Sequence, residues 1–332
     1  MGEHVVFLDR AVVPGELVRP EFQHVWDEYP DTPESLIVER LQMATIAITN
    51  HVPLKAEHLS VLPNLRLICV AGTGYDIVDI GACDRLGIPV SNVRDWCTTA
   101  VAEHVFALIF TLSRRLLQAR DHVLAAAAHW SPAEFLFVGA LPSQLEGSTI
   151  GLIGHGILGS RVAKIADVLG MKVLIAEHKR ASHLRSGRTP FEDVLRRSDI
   201  VSIHCPLSED TRDLIGNHEL ALMRPDAILI NCARGPIVNC SALTNALIAG
   251  ALGGAGLDTT NEETSSLVTQ LRQLRLLNLI LTPHIAWASK SSVAELADQL
   301  KTNMESFARG EPVRVVNSIG FRQPPGRDEL DL

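Results

Sequence analysis

Short apolar runs recur along the chain with helix-like segments between them, and most of the runs are continuous rather than alternating. HVVFLD (4–9), TIAIT (45–49), LRLICV (65–70) and PVSNV (89–93) predict the strands of a first unit. TIGLIG (149–154), KVLIAE (172–177), IVSIHC (200–205), AILINCA (227–233), GGAGLD (253–258) and LILTPH (279–284) predict those of a second. A strand without polar alternation is covered on both faces, as in a parallel sheet. Regular alternation of strand and helix then predicts doubly wound, Rossmann-like α/β units, the first flavodoxin-like.

Helical segments flank the second unit at roughly 98–128 and 291–309. In the latter, Val293, Leu296, Ala297 and Leu300 fall on one helical face. The following VRVVNS could return to the first unit. This order predicts a discontinuous first domain (1–97 and 289–332) with a second (98–288) inserted in it and a cleft between them. A length of 332 residues suits two such domains.

Composition excludes several classes. The net charge of −8 carries no Lys/Arg block, which argues against nucleic acid. The start, MGEHVVFLDR, lacks a long apolar h-region, so no secretory signal is visible. AVAEHVFALIFTL (100–112) is interrupted by Glu103 and His104 and followed by Arg114 and Arg115, which predicts a buried helix rather than a membrane span. Cys69, Cys83, Cys97, Cys205, Cys232 and Cys240 form no CxxC pair, and several sit in strand-like runs, which suits a reduced cytoplasmic protein.

One turn carries a phosphate-binding pattern. Gly154-His155-Gly156-Ile157-Leu158-Gly159 is a GxGxxG preceded by a strand and followed by Val162, Ile165, Ala166 and Leu169 on one helical face. Gly154 permits the tight turn, Gly156 the approach of a pyrophosphate, and Gly159 close helix–strand packing. The helix N-terminus would face the phosphates. The next strand ends at Glu177, 23 residues after Gly154, where an acid would bind ribose hydroxyls and favour NAD(H). His178, Lys179 and Arg180 follow and could instead neutralise a 2′-phosphate, so NADP(H) stays open.

Later strand ends carry polar groups: Pro206 in IHCPL, Arg234 in NCARG, Asp258 with Glu262 and Glu263 in LDTTNEET, and His284 in TPHIAWAS. Ligands of open α/β sheets bind outside the carboxyl ends of strands, so these groups can converge. A guanidinium beside a nicotinamide can hold a substrate carboxylate and polarise its neighbouring carbonyl. Hydride delivery leaves an alkoxide, and an imidazolium oriented by a carboxylate can protonate it. Together these residues predict reduction of a 2-oxo acid.

The GHGILG, NCARGPIVN, LDxxxxE and TPHIAWAS runs, in that order, resemble the D-isomer-specific 2-hydroxyacid dehydrogenase family over nearly the whole chain. AGTGYDIVDI (71–80), SNVRDWCTTAVAEHVFAL (91–108) and HIAWAS resemble its glycerate dehydrogenase, or hydroxypyruvate reductase, branch. The resemblance implies Arg234 as carboxylate anchor, His284 as acid/base and Glu263 as its partner. It implies that the backbone of Ala71, Gly72, Thr73 and Gly74 also receives the carboxylate, that Trp287 adjoins the substrate, and that Asp258 touches the nicotinamide carboxamide or tunes the site. The implied cofactor set is Gly154 to Gly159, Glu177, His178, Lys179, Cys205, Pro206, Thr211, Cys232, Ala233, Arg234, Asp258, His284 and Ala286, with no metal. Where the family has proline after its glutamate this chain has Thr264, TTN precedes the acid instead of an aliphatic pair, and Asn239 stands where an acid is common, at an expected helix cap.

The expected product is D-glycerate or glycolate, made from hydroxypyruvate or glyoxylate by a homodimer. Another 2-hydroxy acid such as 3-phosphoglycerate is an alternative, weakened by the absence of Lys and Arg from 71–76. A dinucleotide-sensing corepressor of the C-terminal binding protein type is a second. His51 and His58, or His178 and His183, have no third ligand at metal spacing, His104 reads as a satisfied buried or interface residue, and Trp130 and Phe135 as packing with a possible interface role.

Overall fold

The computed structural model describes residues 2–125, 141–259, 269, 273 and 276–319. Its contacts divide into two compact units, one containing Met1–Cys97 and a segment that begins at Ala288, the other Thr98–Trp287. Both are parallel α/β sheets.

The first unit pairs β1 (Glu3–Phe7), β2 (His24–Glu28), β3 (Ile46–Thr49), β4 (Leu67–Val70) and β5 (Val90–Ser91) in the order β2-β1-β3-β4-β5. Successive side chains point to opposite faces, and each face has its own cover. Val6, Leu8, Ala47, Ile68 and Val70 pack with Ile37, Leu41, Leu59 and Cys83 from α1 (Ile37–Leu41), α2 (Ala56–Leu59) and α3 (Ile80–Leu86). Val5, Phe7, Ile46, Ile48, Leu67 and Cys69 pack with Leu296, Leu300 and Met304 of the last described helix (Lys290–Ala308). Two covered faces explain the continuous apolar runs; each fully buried Leu or Ile contributes about 1.5–3 kcal/mol.

β2 is a strand the apolar pattern misses. It lies at the sheet edge with Asp27 and Glu28 in it and all five of its residues partly or fully exposed, so it reads as polar sequence. The VRVVNS tail does return: Val315 bridges Ser91 in antiparallel sense, and Val316 donates its N–H to the Val90 carbonyl at 2.9 Å.

The second unit pairs β6 (Thr149–Ile153), β7 (Lys172–Ile175), β8 (Ile200–Ile203), β9 (Ile228–Asn231), β10 (Gly254–Leu257) and β11 (Leu279–Leu281) in the order β11-β10-β9-β8-β6-β7. A parallel bridge between Ala176 and Thr189 extends the sheet by one position beyond β7. With that edge counted, the order is that of a doubly wound dinucleotide fold, and the strand order reverses between β6 and β8.

α4 (Thr98–Ser113) covers β9 and β10. A Cβ on Gly256 would lie 3.0 Å from Ile230 Cδ1 and 3.1 Å from Leu108 Cβ, so the glycines of β10 let this helix approach. The helical segment expected over 98–128 is not continuous. α4 ends at Ser113, Arg115 takes φ 51°, and α5 (Leu116–Ala125) starts as a separate helix. Among the described residues, no helix is long and apolar enough to cross a membrane.

Candidate active site

The glycine turn fits a dinucleotide cradle. Gly154 has φ 95°, and a Cβ there would lie 2.6 Å from the Cys205 backbone nitrogen. A Cβ on Gly159 would meet the Gly154 carbonyl at 2.4 Å, whereas one on Gly156 would meet nothing within 4 Å. Two glycines are therefore demanded by the protein's own packing, and the middle one faces open space where a phosphate can approach. Gly156 is the N-cap of α6 (Ile157–Val168), so unpaired helix N–H groups open onto that space. His155 and Ile157 flank the turn, while Leu158 packs into the core.

Behind the turn, His204 Nε2 contacts Ser202 Oγ at 2.9 Å, and its Nδ1 is buried without a partner among the described residues. A proton on Nδ1 would have no acceptor, and burial holds the imidazole pKa down at about 4. Burial also pushes the Cys205 thiol up to about 11 and the Cys232 thiol higher still, so neither is a thiolate nucleophile near neutral pH. Beyond Cys205, Thr211 Oγ1 donates to the Pro206 carbonyl at 2.7 Å and closes that loop.

Strands β9, β10 and β11 are neighbours, with Leu257 in register with both Asn231 and Leu281. Cys232, Ala233 and Arg234 follow β9, Asp258 follows β10, and His284 follows β11 at the same edge. At about 4.8 Å per strand, β9 and β11 lie about 10 Å apart, a span that one small acid and a nicotinamide ring can bridge.

Asp258 organises this edge. It is 2 % exposed, and its carboxylate accepts from Thr282 Oγ1 (2.5 Å), Ile285 N (3.0 Å) and Ala286 N (2.8 Å). Its own carbonyl accepts from His284 N at 2.9 Å. These bonds hold His284 at φ 55°, a left-handed conformation that costs a non-glycine residue on the order of 1 kcal/mol. Asp258 therefore positions the histidine loop, with its carboxylate already engaged. His104 of α4 joins the group: its Nε2 lies 3.0 Å from Thr282 Oγ1 and 3.6 Å from Asp258 Oδ1. Because Thr282 spends its proton on Asp258, its oxygen accepts from His104.

The arginine is held by a comparable device. Asn231, 1 % exposed, donates Nδ2 to the Arg234 carbonyl (2.9 Å) and accepts from Ala233 N (3.0 Å), bracketing the turn. Arg234 is extended in backbone and half-buried, and its Nη1 donates to the Ala233 carbonyl. Asn239 caps the helix Cys240–Ile248 by accepting from Ala242 N at 3.0 Å. Glu262 and Glu263 lie outside the described residues, as do Trp130 and Phe135. Trp287 is half-buried and Ala286 buried beyond the histidine.

Glu177 is not a solvated strand end. It is 5 % exposed and accepts from His178 N, Arg185 N, Arg185 Nε and Arg185 Nη2 at 2.7–3.1 Å, which drives its carboxyl well below the usual range. As a reader of ribose hydroxyls it would have to release a guanidinium. Lys179 is likewise spent, on Glu219 at 2.7 Å.

In the first unit, Ala71 follows β4, and the turn after it is braced through its carbonyls. Asn50 Nδ2 donates to the Ala71 carbonyl, Asn92 Nδ2 to the Thr73 carbonyl (2.8 Å), and Trp96 Nε1 to Thr73 Oγ1 (3.1 Å). This bracing falls on carbonyl and hydroxyl oxygens and uses none of the N–H groups of Gly72, Thr73 and Gly74. Among the described residues, Glu34, Glu57 and His58 offer ligand atoms within 4.8 Å of one another. Folding thus supplies the third ligand for His58 that sequence spacing lacks, although Lys55 Nζ already pairs with Glu34.

The positioning residues Asn231, Thr282, His104 and Arg185 are not distinguished by sequence reasoning. Asn231 and Thr282 sit inside the NCARG and LTPH runs that flag Arg234 and His284. Arg185 has no such signal.

The chain is similar to known proteins over most of its length. A model of the family described as "D-isomer specific 2-hydroxyacid dehydrogenase, NAD binding domain" matches residues 106–286. A glycerate dehydrogenase of Methylorubrum extorquens is 42% identical over 321 residues, covering 96% of this chain and 100% of that protein. An acyclic imino acid reductase solved with NADPH and D-Arg superposes with a TM-score of 0.78 at 29% identity, covering 94% of this chain and 99% of the other. A D-lactate dehydrogenase of Aquifex aeolicus, solved with NAD and lactic acid, gives 0.78 at 26%, covering 92% and 96%.

Proposed function

The chain belongs to the D-isomer-specific 2-hydroxyacid dehydrogenase family, and on that premise we propose that it reduces hydroxypyruvate or glyoxylate to D-glycerate or glycolate, and catalyses the reverse. The observation that carries the reading is the buried Asp258, whose bonds fix His284 at the carboxyl edge of the strands that also bear Arg234. A reduced nicotinamide dinucleotide, when bound on the Gly154–Gly159 turn, supplies the hydride. Arg234 binds the substrate carboxylate bidentately and polarises the adjacent carbonyl. In the first unit, the backbone of the Ala71–Gly74 turn is a further candidate anion binder of the same reading. His284, as imidazolium, gives its proton to the oxygen that becomes the hydroxyl, and Glu263 keeps that imidazole charged and oriented. Hydride and proton balance the reduction, so the reading calls for no metal ion.

A homodimer is part of the same proposal, and α5 supports it. None of its residues is buried, and Leu116, Val123 and Leu124 are exposed on it, with Phe110 exposed on α4. Such a face is suited to a second copy of the chain. Six free cysteines accord with a reducing, cytoplasmic setting.

Initial rates with hydroxypyruvate, glyoxylate and pyruvate test the substrate class. His284→Ala should remove most turnover while coenzyme still binds. Turnover unchanged in that variant, or no rate with any of the three acids, would overturn the proposal.

A further inference from the structure

The segment 177–188, EHKRASHLRSGR, holds four Lys or Arg and two histidines against one acid, in a chain of net charge −8. It follows β7, the second strand of the dinucleotide-binding unit, where the adenosine ribose of a bound coenzyme lies. Here the chain forms a pocket of about 390 Å³ lined by Glu177, His178, Arg180, His183 and Arg185.

Glu177 sets the character of this pocket, and it is masked. A carboxylate has about four lone-pair positions. Those of Glu177 are filled by two backbone N–H groups and by Nε and Nη2 of Arg185. An NADH ribose could hydrogen-bond to it only by displacing a paired guanidinium from a buried carboxylate. The repulsion with which a free acid would reject a 2′-phosphate is cancelled by the same pair.

The remaining cations are differently placed. Lys179 is turned to Glu219, and Arg188 donates to the Ala176 carbonyl at 3.3 Å. Arg180 pairs with Asp210 at 3.0 Å, but with side chains 83% and 77% exposed, such a pair holds little against a competing dianion. Arg180, His178 and His183 therefore remain able to turn to an anion in the pocket.

We infer that this pocket receives the 2′-phosphate of NADP(H) and that Arg185, by occupying Glu177, sets the coenzyme choice toward the phosphorylated form. The inference rests on the dehydrogenase reading above and goes against the preference that a carboxylate at the end of this strand implies by itself. Arg185 acts twice in the same direction: it withdraws the one acceptor that ribose hydroxyls would use, and it cancels the charge with which that acceptor would repel a phosphate.

Calorimetric titration of the intact protein with NADPH and NADH tests it without reference to turnover. NADPH should bind at least tenfold more tightly, and its affinity should fall more steeply with added salt, because one more dianion is bound. Arg185→Ala should weaken NADPH and tighten NADH, because Glu177 is released. Arg180→Gln, an exposed change that the fold tolerates, should weaken NADPH severalfold and leave NADH unmoved. NADH binding as tightly as NADPH in the unaltered protein overturns the inference and leaves the dehydrogenase reading standing. Equal losses for both coenzymes in Arg180→Gln also overturn it. Binding of neither dinucleotide overturns both.

Discussion

Asp258→Asn is the substitution that isolates the positioning of the histidine from its chemistry. The side chain keeps its shape and loses its charge. If the new amide oxygen takes the place of Oδ1, Thr282 and Ile285 keep their acceptor, and the amide nitrogen is driven against the Ala286 N–H. Ala286 is only 5 % exposed, so that donor cannot turn to water. The cost is one charge-assisted bond and one buried donor without a partner, about 2–4 kcal/mol together. The opposite amide orientation strands two donors and is worse. Part of the cost is relieved by releasing the 282–286 loop, which frees His284 from its left-handed backbone and moves the imidazole off the carboxyl edge. We expect kcat to fall roughly tenfold or more, at 1.4 kcal/mol per decade. The apparent melting temperature should drop by several degrees, and coenzyme affinity should change less than turnover. Thr282→Val calibrates the effect: it removes one hydroxyl, costs about 1 kcal/mol and leaves both backbone donors in place. Stopped-flow turnover, calorimetric melting and coenzyme titration on the two variants give the comparison. Wild-type kcat and melting in Asp258→Asn would refute the claim that this carboxylate holds the loop.

Other expectations follow from the same geometry. Gly154→Ala places a Cβ against the Cys205 backbone at φ 95° and should cut soluble yield and melting temperature sharply. Gly156→Ala, facing open space, should melt almost as the parent does yet lose dinucleotide affinity. His204, held at about pKa 4 against an ordinary 6.5, stays neutral in the fold while the unfolded chain takes up a proton. Its share of stability is therefore complete above pH 6.5 and is lost as pH falls toward 4, by about 3 kcal/mol; His204→Gln should flatten that slope in melting curves, and an unchanged slope would refute it. Arg234→Lys keeps the charge but loses the planar fork, so kcat/KM for the 2-oxo acid should fall by about two decades, with coenzyme Kd little altered. Leu124→Glu should shift sedimentation toward monomer if α5 is the dimer face.

The fold was legible where sequence pattern and burial coincide. Val5 to Leu8, Ile46 to Ile48 and Leu67 to Val70 are buried on alternating faces of one sheet, and that double burial is what makes the runs continuous. Legibility failed where a strand lies at an edge. His24 to Glu28 carries polar residues because solvent, not a helix, covers much of it. It failed again at Arg115, where α4 gives way to α5 through a left-handed residue that is neither glycine nor asparagine and so leaves no punctuation in the sequence. Conversely, Gly254 and Gly256 look like weak strand residues and are there because α4 lies against them.

The site divides along a similar line. Arg234, Asp258 and His284 could be singled out because each terminates an apolar run at the carboxyl edge of a sheet, a relation visible in one dimension. What holds them is not visible there. His104 reaches Thr282 across 178 positions of sequence, and nothing in AVAEHVF distinguishes that histidine from a packed one. Glu177 is the sharper case, since its residue type argues for one coenzyme and its surroundings for the other. An acid at a strand end implies a charge offered to ribose hydroxyls. Arg185, eight residues on and in a loop without periodicity, removes the offer by taking both oxygens. Sequence spacing reports which groups stand at the edge of the sheet. Whether a group there is still available to a ligand depends on its partners, and Glu177 is already held by one.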